Sequence, residues 1–418
     1  MQYMKFKKLG LNEFNDFEQK NSQGTFYQSI GQKKHFDHGS RKTDLIGIKS
    51  ENGKILLASL ITSIHSRTGI VFEIMMGPLI EDKASNKLEI LNFFLIKIKK
   101  YLKDRHAYYL RIKPNLKIRK ITNSGKEKKF EAKKYIETFK KQGFYYKDIQ
   151  KQRGMSTITI HFEYLKDLTK FKNKQELFNS FSKKNQYSIK KTREFGISVR
   201  SIKYNELPTF KKYTQKTANR LGFSDKTLKY YQSVYKAFGN NIKFMVAEID
   251  LNRYVKHFYD EINKLNKKIQ KDQQLDKNRI KKKRSNQIRE LKSQVKQHQK
   301  RIKQAKNLSK KYGKNINLSG GMFFIQPQEI AYVFSYTNIE FKNFYGPFKI
   351  QEEMMNQALE RNIPTYNFYG ISGDISRKDG VFEFKKGFNG YISENIGSFI
   401  LPVKKLRYKI LQSIKKII

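Results

Sequence analysis

The 418-residue sequence predicts an α/β (α+β) protein of two related halves, with an antiparallel two-helix coiled-coil arm inserted in the second. Three observations predict this. Short apolar runs alternate with amphipathic segments at helical spacing over most of the chain. One order of elements, a strand pair, a Gly-Pro near a turn, an amphipathic helix and an aromatic strand, occurs twice. Residues 251–312 lose this mixed character and carry apolar residues at alternating three- and four-residue spacing on two limbs.

The first half covers residues 1–150. KTDLIGIKSENGKILLASLITSI reads as strand, turn at Glu51-Asn52-Gly53, and strand. VFEIMMGPLI is a further strand, interrupted by Gly77-Pro78. Leu91, Phe94, Leu95, Ile98 and Leu102 share one face of a helix over 88–102. Tyr108–Ile112 is then a strand, stopped by Pro114.

The second half covers residues 151–250 and 313–402. A basic helix ends at Gly196 and a strand follows. Helices are expected over 208–216 and 225–238, flanking a loop from Thr217 to Phe223. Ile242–Ile249 is a strand. The arm follows at 251–312, where Leu251, Tyr254, Phe258, Ile262, Leu265 and Ile269 form one stripe. Ile288, Leu291, Val295, Ile302 and Ala305 form the other, with a polar stretch at 271–283 between them. The chain resumes with GGMFFIQPQ, EIAYVFSYT, the helix of YGPFKIQEEMMNQALERNI and the strand of YNFYG. Residues 366–390, YNFYGISGDISRKDGVFEFKKGFNG, read as strand, glycine-containing loop and second apolar strand, ending in Lys385-Lys386. Taken alone, these lysines fit a solvated strand end as well as an anion site. Residues 403–418 form a basic amphipathic helix with Val403, Leu406, Ile410, Ile414, Ile417 and Ile418 on one face. That face suits either a membrane interface or packing on the domain.

Composition narrows the chemistry. The 87 Lys+Arg against 37 Asp+Glu leave a formal net charge of +50, which predicts polyanionic partners such as RNA, DNA, an anionic membrane or phosphorylated substrates. Part of the excess also fits an AT-rich coding bias, as do the many Asn and Ile and the absence of Trp. Without cysteine there are no disulfides, thiol nucleophiles or thiolate metal ligands. The seven histidines show no metal-binding spacing, so no metal site and no cofactor are expected. No apolar run reaches the ~18–20 residues of a membrane span, and the first residues lack the apolar core of a signal peptide. A cytoplasmic location is expected, peripheral at the inner face of the membrane if the last helix binds lipid.

Four segments carry a resemblance: TANRLGFSDKTLKYY (217–231), FYGPFKIQEEMMNQA (344–358), YNFYGISG (366–373), and FKKGFNG with ISENIGSFILPV (384–403). In this order, around an arm at this place, the sequence resembles the Fem-type aminoacyltransferases that form peptidoglycan bridges, the FemA/FemB and MurM/MurN group. The resemblance implies two GNAT-like acyltransferase subdomains with a coiled-coil arm. It implies transfer of an amino acid from aminoacyl-tRNA to the stem-peptide lysine, or an existing bridge residue, of a peptidoglycan precursor, lipid II or its nucleotide form. It also implies a catalytic lysine in FKKGF, either Lys385 or Lys386. Arg220, Tyr230 and Tyr231 fall in the segment matching the family's precursor-binding region. Surface pairing for Arg220 and core packing for the tyrosines are the plainer alternatives. Tyr369 and Lys113 complete the candidate substrate contacts. The arm resembles the tRNA-binding arm of seryl-tRNA synthetase, with cations on phosphates; a purely structural hairpin is the alternative. Related aminoacyltransferases are expected as homo- or hetero-oligomeric partners.

Two positions depart from the family pattern. Several relatives carry a lysine eight positions after a glutamine corresponding to Gln28, where this chain has Phe36 with Lys33 and Lys34 nearby. Relatives often have Asp-Pro where this chain has Lys113-Pro114. No carboxylate stands out as the base, which leaves substrate-assisted proton transfer open. The competing readings are a GNAT-like transferase modifying protein termini, a non-catalytic RNA-binding or translation-associated protein, and, within the family, a bacteriocin-immunity factor that alters the bridge.

Overall fold

A computed structural model describes residues 4–147, 161–274, 282–372 and 379–417. Two mixed sheets form its frame. The eight-stranded sheet runs Met4–Lys8, Lys42–Ser50, Ile55–Ser66, Gly69–Met75, Ala107–Lys113, Ser398–Pro402, Tyr145–Lys147, with Leu79–Ile80 beside Ile55–Ser66. The nine-stranded sheet runs Ser198–Ser201, Ile242–Asp250, Asn315–Ile325, Glu329–Thr337, Thr365–Ile371, Phe162–Asp167, Tyr391–Asn395, Lys117–Thr122, Glu127–Lys129.

The internal repeat is visible in the pairing. In each half three antiparallel strands lead to a helix and then to a strand parallel to the third. The parallel pairs are Gly69–Met75 with Ala107–Lys113, and Glu329–Thr337 with Thr365–Ile371. The crossover helices are Lys87–Lys103 and Gly346–Glu360. Their apolar faces supply the first core, with Phe94, Leu95 and Ile98, and the second, with Ile350, Met354 and Met355. The two Gly-Pro pairs differ in role. Gly77-Pro78 separates two strands, whereas Gly346-Pro347 opens the second crossover helix, where proline's missing N–H is no loss.

The arm, helices Leu251–Gln274 and Lys282–Tyr312, leaves and re-enters between Ile242–Asp250 and Asn315–Ile325, strands that pair directly. Its root belongs to the second core: Tyr254, Phe258, Ile302 and Ala305 are buried there. Phe258 is fully buried against Phe195, Tyr254 and His298. Arg301 pairs with Glu194 at 3.0 Å.

Three expectations are corrected. The loop expected over 217–223 is helical to Leu221, because Thr217 and Ala218 are buried and their packing overrides weak local propensity. Gly222 ends that helix at φ 72°, a left-handed position glycine takes without strain. The second strand expected in 381–384 is instead a short helix, Gly380–Lys386, capped by Asp379, whose Oδ1 accepts from Val381 N–H at 2.9 Å. The alternating pattern there misleads because Phe382 and Lys385, three apart, share the buried face. Gly373 lies outside the described residues. Finally, the ranges 1–150 and 313–402 exchange strands. Lys117–Thr122 and Glu127–Lys129 join the second sheet, and Ser398–Pro402 joins the first. The chain crosses at Pro114, rejoins the first sheet with Tyr145–Lys147, enters the second again with Phe162–Asp167 and returns for the last time after Asn395, so both halves share one seam.

Candidate functional site

The seam gathers charged and polar side chains from both halves. Glu163, on Phe162–Asp167, is 3% exposed. Its Oε1 accepts from Asn367 Nδ2 at 3.0 Å. Its Oε2 accepts from Lys117 Nζ and Asn395 Nδ2, each at 3.0 Å. Asn367 Nδ2 also donates to Glu329 Oε2 at 2.9 Å, so one amide bridges two carboxylates. Burial pushes the Glu163 carboxyl up, but the Lys117 charge and the three donated bonds outweigh it and hold the group down at about 2. Glu329 has less compensation. Burial and the Glu163 charge push it up to about 7 against the Asn367 bond and Lys117.

Lys385 joins this cluster. Its side chain is buried, and Nζ donates to the Gly370 carbonyl at 2.7 Å. Gly370 stands opposite Glu163 in the sheet register. Burial pulls the Lys385 ammonium down to about 7, while Asp379 and Glu163 oppose the shift. Lys386 points elsewhere. It is half-buried, and Nζ lies 5.9 Å from the centre of the Phe382 ring. Lys113 is 2% exposed at the seam; burial pulls it down to about 8, Glu163 opposing and Lys117 assisting.

An aromatic wall closes the site. Tyr369 OH and Tyr27 OH meet at 2.5 Å. Tyr369 holds φ at 67°, and its N–H donates to Asn367 Oδ1 at 2.7 Å. A non-glycine residue in this region costs on the order of 1–3 kcal/mol and persists where its surroundings over-determine it. Tyr230 contacts His35 edge-on at 5.3 Å, and burial, with Tyr27 nearby, raises its hydroxyl above the ordinary range. The strands Glu329–Thr337 and Thr365–Ile371 are in register only from Glu329↔Thr365 to Ala331↔Asn367. Beyond that they part, and Phe368–Ile371 keeps a strand neighbour on one edge only among the described residues.

The structure therefore brings together Lys113, Lys385, Tyr230 and Tyr369 of the sequence candidates. It does not bring in Lys386, Tyr231 or Arg220. Tyr231 is fully buried in an aromatic core and donates to Asp225 Oδ1 at 2.6 Å, which is the plainer alternative for that residue. Arg220 is exposed on the last turn of its helix, without an ion pair among the described residues. Sequence reasoning missed Glu163, Glu329, Asn367, Lys117, Asn395 and Tyr27. An acidic residue inside the apolar alternation of HFEYL was the one local signal. Of the departure positions, Gln28 is a fully buried strut. It bonds Leu60 N–H at 2.8 Å and Met75 O at 2.7 Å, and a Cβ on Gly77 would sit 2.7 Å from it. Phe36 is half-buried under Arg41, 5.2 Å from its ring centre.

Residues 9–416 match the FemAB family. The chain belongs to the FemAB family. Aminoacyltransferase FemA of Staphylococcus epidermidis is 29% identical over 427 residues, covering 99% of this chain and all of that protein. Aminoacyltransferase FemA of Staphylococcus aureus is 29% identical, covering 99% of both. The crystal structure of FemX shares the fold, at a TM-score of 0.79 with 22% identity, covering 97% of this chain and 99% of that one. This FemAB protein is thus a FemA-type aminoacyltransferase, of the group that builds peptidoglycan interpeptide bridges. The non-catalytic RNA-binding alternative falls with that assignment. Among the described residues, no helix is long and apolar enough to cross a membrane.

Proposed function

We propose that the protein transfers an amino acid from aminoacyl-tRNA to the stem-peptide lysine, or the nascent bridge, of a peptidoglycan precursor. The observation that carries this is Lys385, a buried cation in the seam between the halves, beside a parted strand edge and a carboxylate pair. The reaction is aminolysis of an ester. The acceptor amine attacks the aminoacyl carbonyl, a tetrahedral intermediate forms, and the ribose oxygen leaves. Lys385 has donors beyond the one used by Gly370, and in the seam these stabilise the developing oxyanion. Tyr369 and Tyr230 stand in the same seam, and Lys113 adds a second buried amine to its electrostatics. Arg220, exposed outside the seam and without an ion pair among the described residues, pairs with the precursor's phosphate.

The arm serves the donor. Lys256, Lys267, Lys296 and Lys303 are exposed along its two helices, suited to phosphates without base reading. The C-terminal helix, Lys405–Ile417, serves a lipid-linked acceptor. It docks through Tyr408, which is buried against Tyr108 and Tyr109. Leu406 is 75% and Ile410 52% exposed, among Lys404, Lys405, Arg407 and Lys409. An adjoining cavity of about 780 Å³ is lined by Lys140, Tyr145, Tyr146, Lys405 and Lys409. Apolar side chains standing among cations suit an anionic bilayer. Tyr108 and Lys113 lie on one strand, so this face sits roughly 17 Å from the seam at about 3.3 Å per residue. A cytoplasmic enzyme resting on the inner leaflet follows from this reading, and so does contact with other FemAB proteins acting on the same precursor.

The test uses purified protein, lipid II or its nucleotide precursor, and a panel of labelled charged tRNAs. Transfer of label to the precursor is expected, with Lys385→Ala lowering kcat about 100-fold. Lys386→Ala is expected to stay within about threefold. Absence of transfer from every charged tRNA rejects the proposed reaction.

A further inference from the structure

We propose that Glu329 is the catalytic base of the transfer, taking the proton that the attacking ammonium must lose. The inference deepens the function proposed above and rests on it. At neutral pH the acceptor amine arrives as an ammonium with three N–H bonds. The amide product keeps one hydrogen, and the departing ribose oxygen takes a second as the C–O bond breaks and the C–N bond forms. The third needs an acceptor, which then returns it to water.

Two carboxylates stand in the seam, and their partners divide them. Glu163 has both oxygens occupied, by Asn367 on one and by Lys117 and Asn395 on the other. It is 3% exposed, and both its oxygens are already engaged inside the cluster. Glu329 accepts one hydrogen bond, from Asn367 to Oε2, and its Oε1 accepts none among the described residues. Glu329 is also half-buried rather than sealed, and it opens its strand, two residues before the parallel pair parts beyond Ala331↔Asn367. A proton can therefore reach Glu329 without breaking the cluster.

The surroundings are those of a base working near neutrality. The groups facing Glu329 are Glu163, Lys117, Tyr27 and Tyr391. Burial and the Glu163 charge move its titration up to about 7, while Glu163 itself stays at about 2. Tyr27 and Tyr391 are pushed up to about 12, so neither phenol gains charge in this range. Asn367 fixes the geometry. Its Oδ1 is taken by the Tyr369 N–H, which turns its amide group toward both carboxylates. Glu163 is thereby a positioning residue: it holds Asn367 and supplies the negative charge that makes Glu329 basic.

The test is kcat from pH 5 to 9 for the unmodified protein, Glu329→Gln and Glu329→Asp, with the charged tRNA the unmodified protein uses and lipid II as acceptor. The unmodified enzyme is expected to rise with pH towards about 7, the limb that belongs to Glu329, and to fall above it as Lys385 loses its charge; the inflection compared among the variants is the one on the rising limb. Glu329→Gln should lose about 100-fold or more in kcat at pH 8, with both KM values unchanged and the inflection gone. Glu329→Asp should retain an inflection, at a displaced pH and a lower maximum. Transfer by Glu329→Gln at the unmodified rate, with the same inflection, overturns the inference and leaves the proposed reaction standing. Should Glu329→Gln fail to fold, an Asp profile superimposable on the unmodified one overturns it equally. No transfer by the unmodified protein from any charged tRNA overturns the reaction and the base together.

Discussion

Lys385 and Lys386 are adjacent in sequence and opposite in circumstance. Helical geometry turns neighbouring side chains about 100° apart, so only one of them enters the seam. Lys385 does, and its Nζ reaches the Gly370 carbonyl, while Lys386 stays by the Phe382 ring. No sequence argument separates the two, because the pattern leaves open which face of Gly380–Lys386 is buried. Tyr231 shows the reverse case, a candidate contact that is structural. Removing its hydroxyl with Tyr231→Phe leaves Asp225 short of one donor, with Lys211 and Thr214 still bound to its other oxygen. We expect a stability loss of about 1–2 kcal/mol in urea unfolding, with kcat unaltered. Arg220→Ala is expected to do the opposite: unfolding unchanged, and the acceptor KM raised about tenfold, since it removes one exposed charge from a phosphate contact.

At the level of elements, the arm was legible because its signal is periodic and long. Leu251, Tyr254, Phe258, Ile262 and Ile269 are buried as their spacing requires. The root decides how firmly the arm stands. Phe258→Ala removes a fully buried ring from the junction of arm and core, and is expected to cost about 3–5 kcal/mol. Replacing Asn252–Lys311 by a short linker is expected to leave the Ile242–Asp250 to Asn315–Ile325 pairing intact, since those strands are neighbours. Charged-tRNA affinity should fall while precursor affinity holds; unchanged tRNA affinity in a filter-binding titration counts against the arm's role. The misread elements share one cause. The 217–221 segment and the 380–386 helix are short, and short segments take their conformation from what they pack on.

At the scale of the whole molecule, charge and burial set the responses to salt and pH. A protein with a formal net charge of +50 should bind tRNA with strong salt dependence, its log affinity falling linearly with log salt. A second whole-molecule prediction rests on Glu18. It is fully buried, and burial pushes its carboxyl up to about 7, with the Gln19 bond opposing. Between about pH 4.5 and 7 the folded state therefore holds a proton that the unfolded chain releases, so stability falls as pH rises through that window. Glu18→Gln removes this slope. Relative to the variant, the unmodified protein should lose on the order of 3 kcal/mol between pH 4.5 and 7.5, read from urea unfolding at each pH.

The sequence by itself determined what is local or repeated: the strand pairs, the two crossover helices, the arm and its place, the duplicated order of elements, and the family through four ordered motifs. Tertiary structure alone decided the strand exchange at Pro114 and Asn395, which of Lys385 and Lys386 enters the seam, and the carboxylate pair. Asn367 lies 204 residues from Glu163 and 38 from Glu329, and Asn395 lies 232 from Glu163. Periodicity records which residues are buried against their own element. It carries no record of which distant polar groups the closed chain will place side by side, and in this protein those groups make the proposed site.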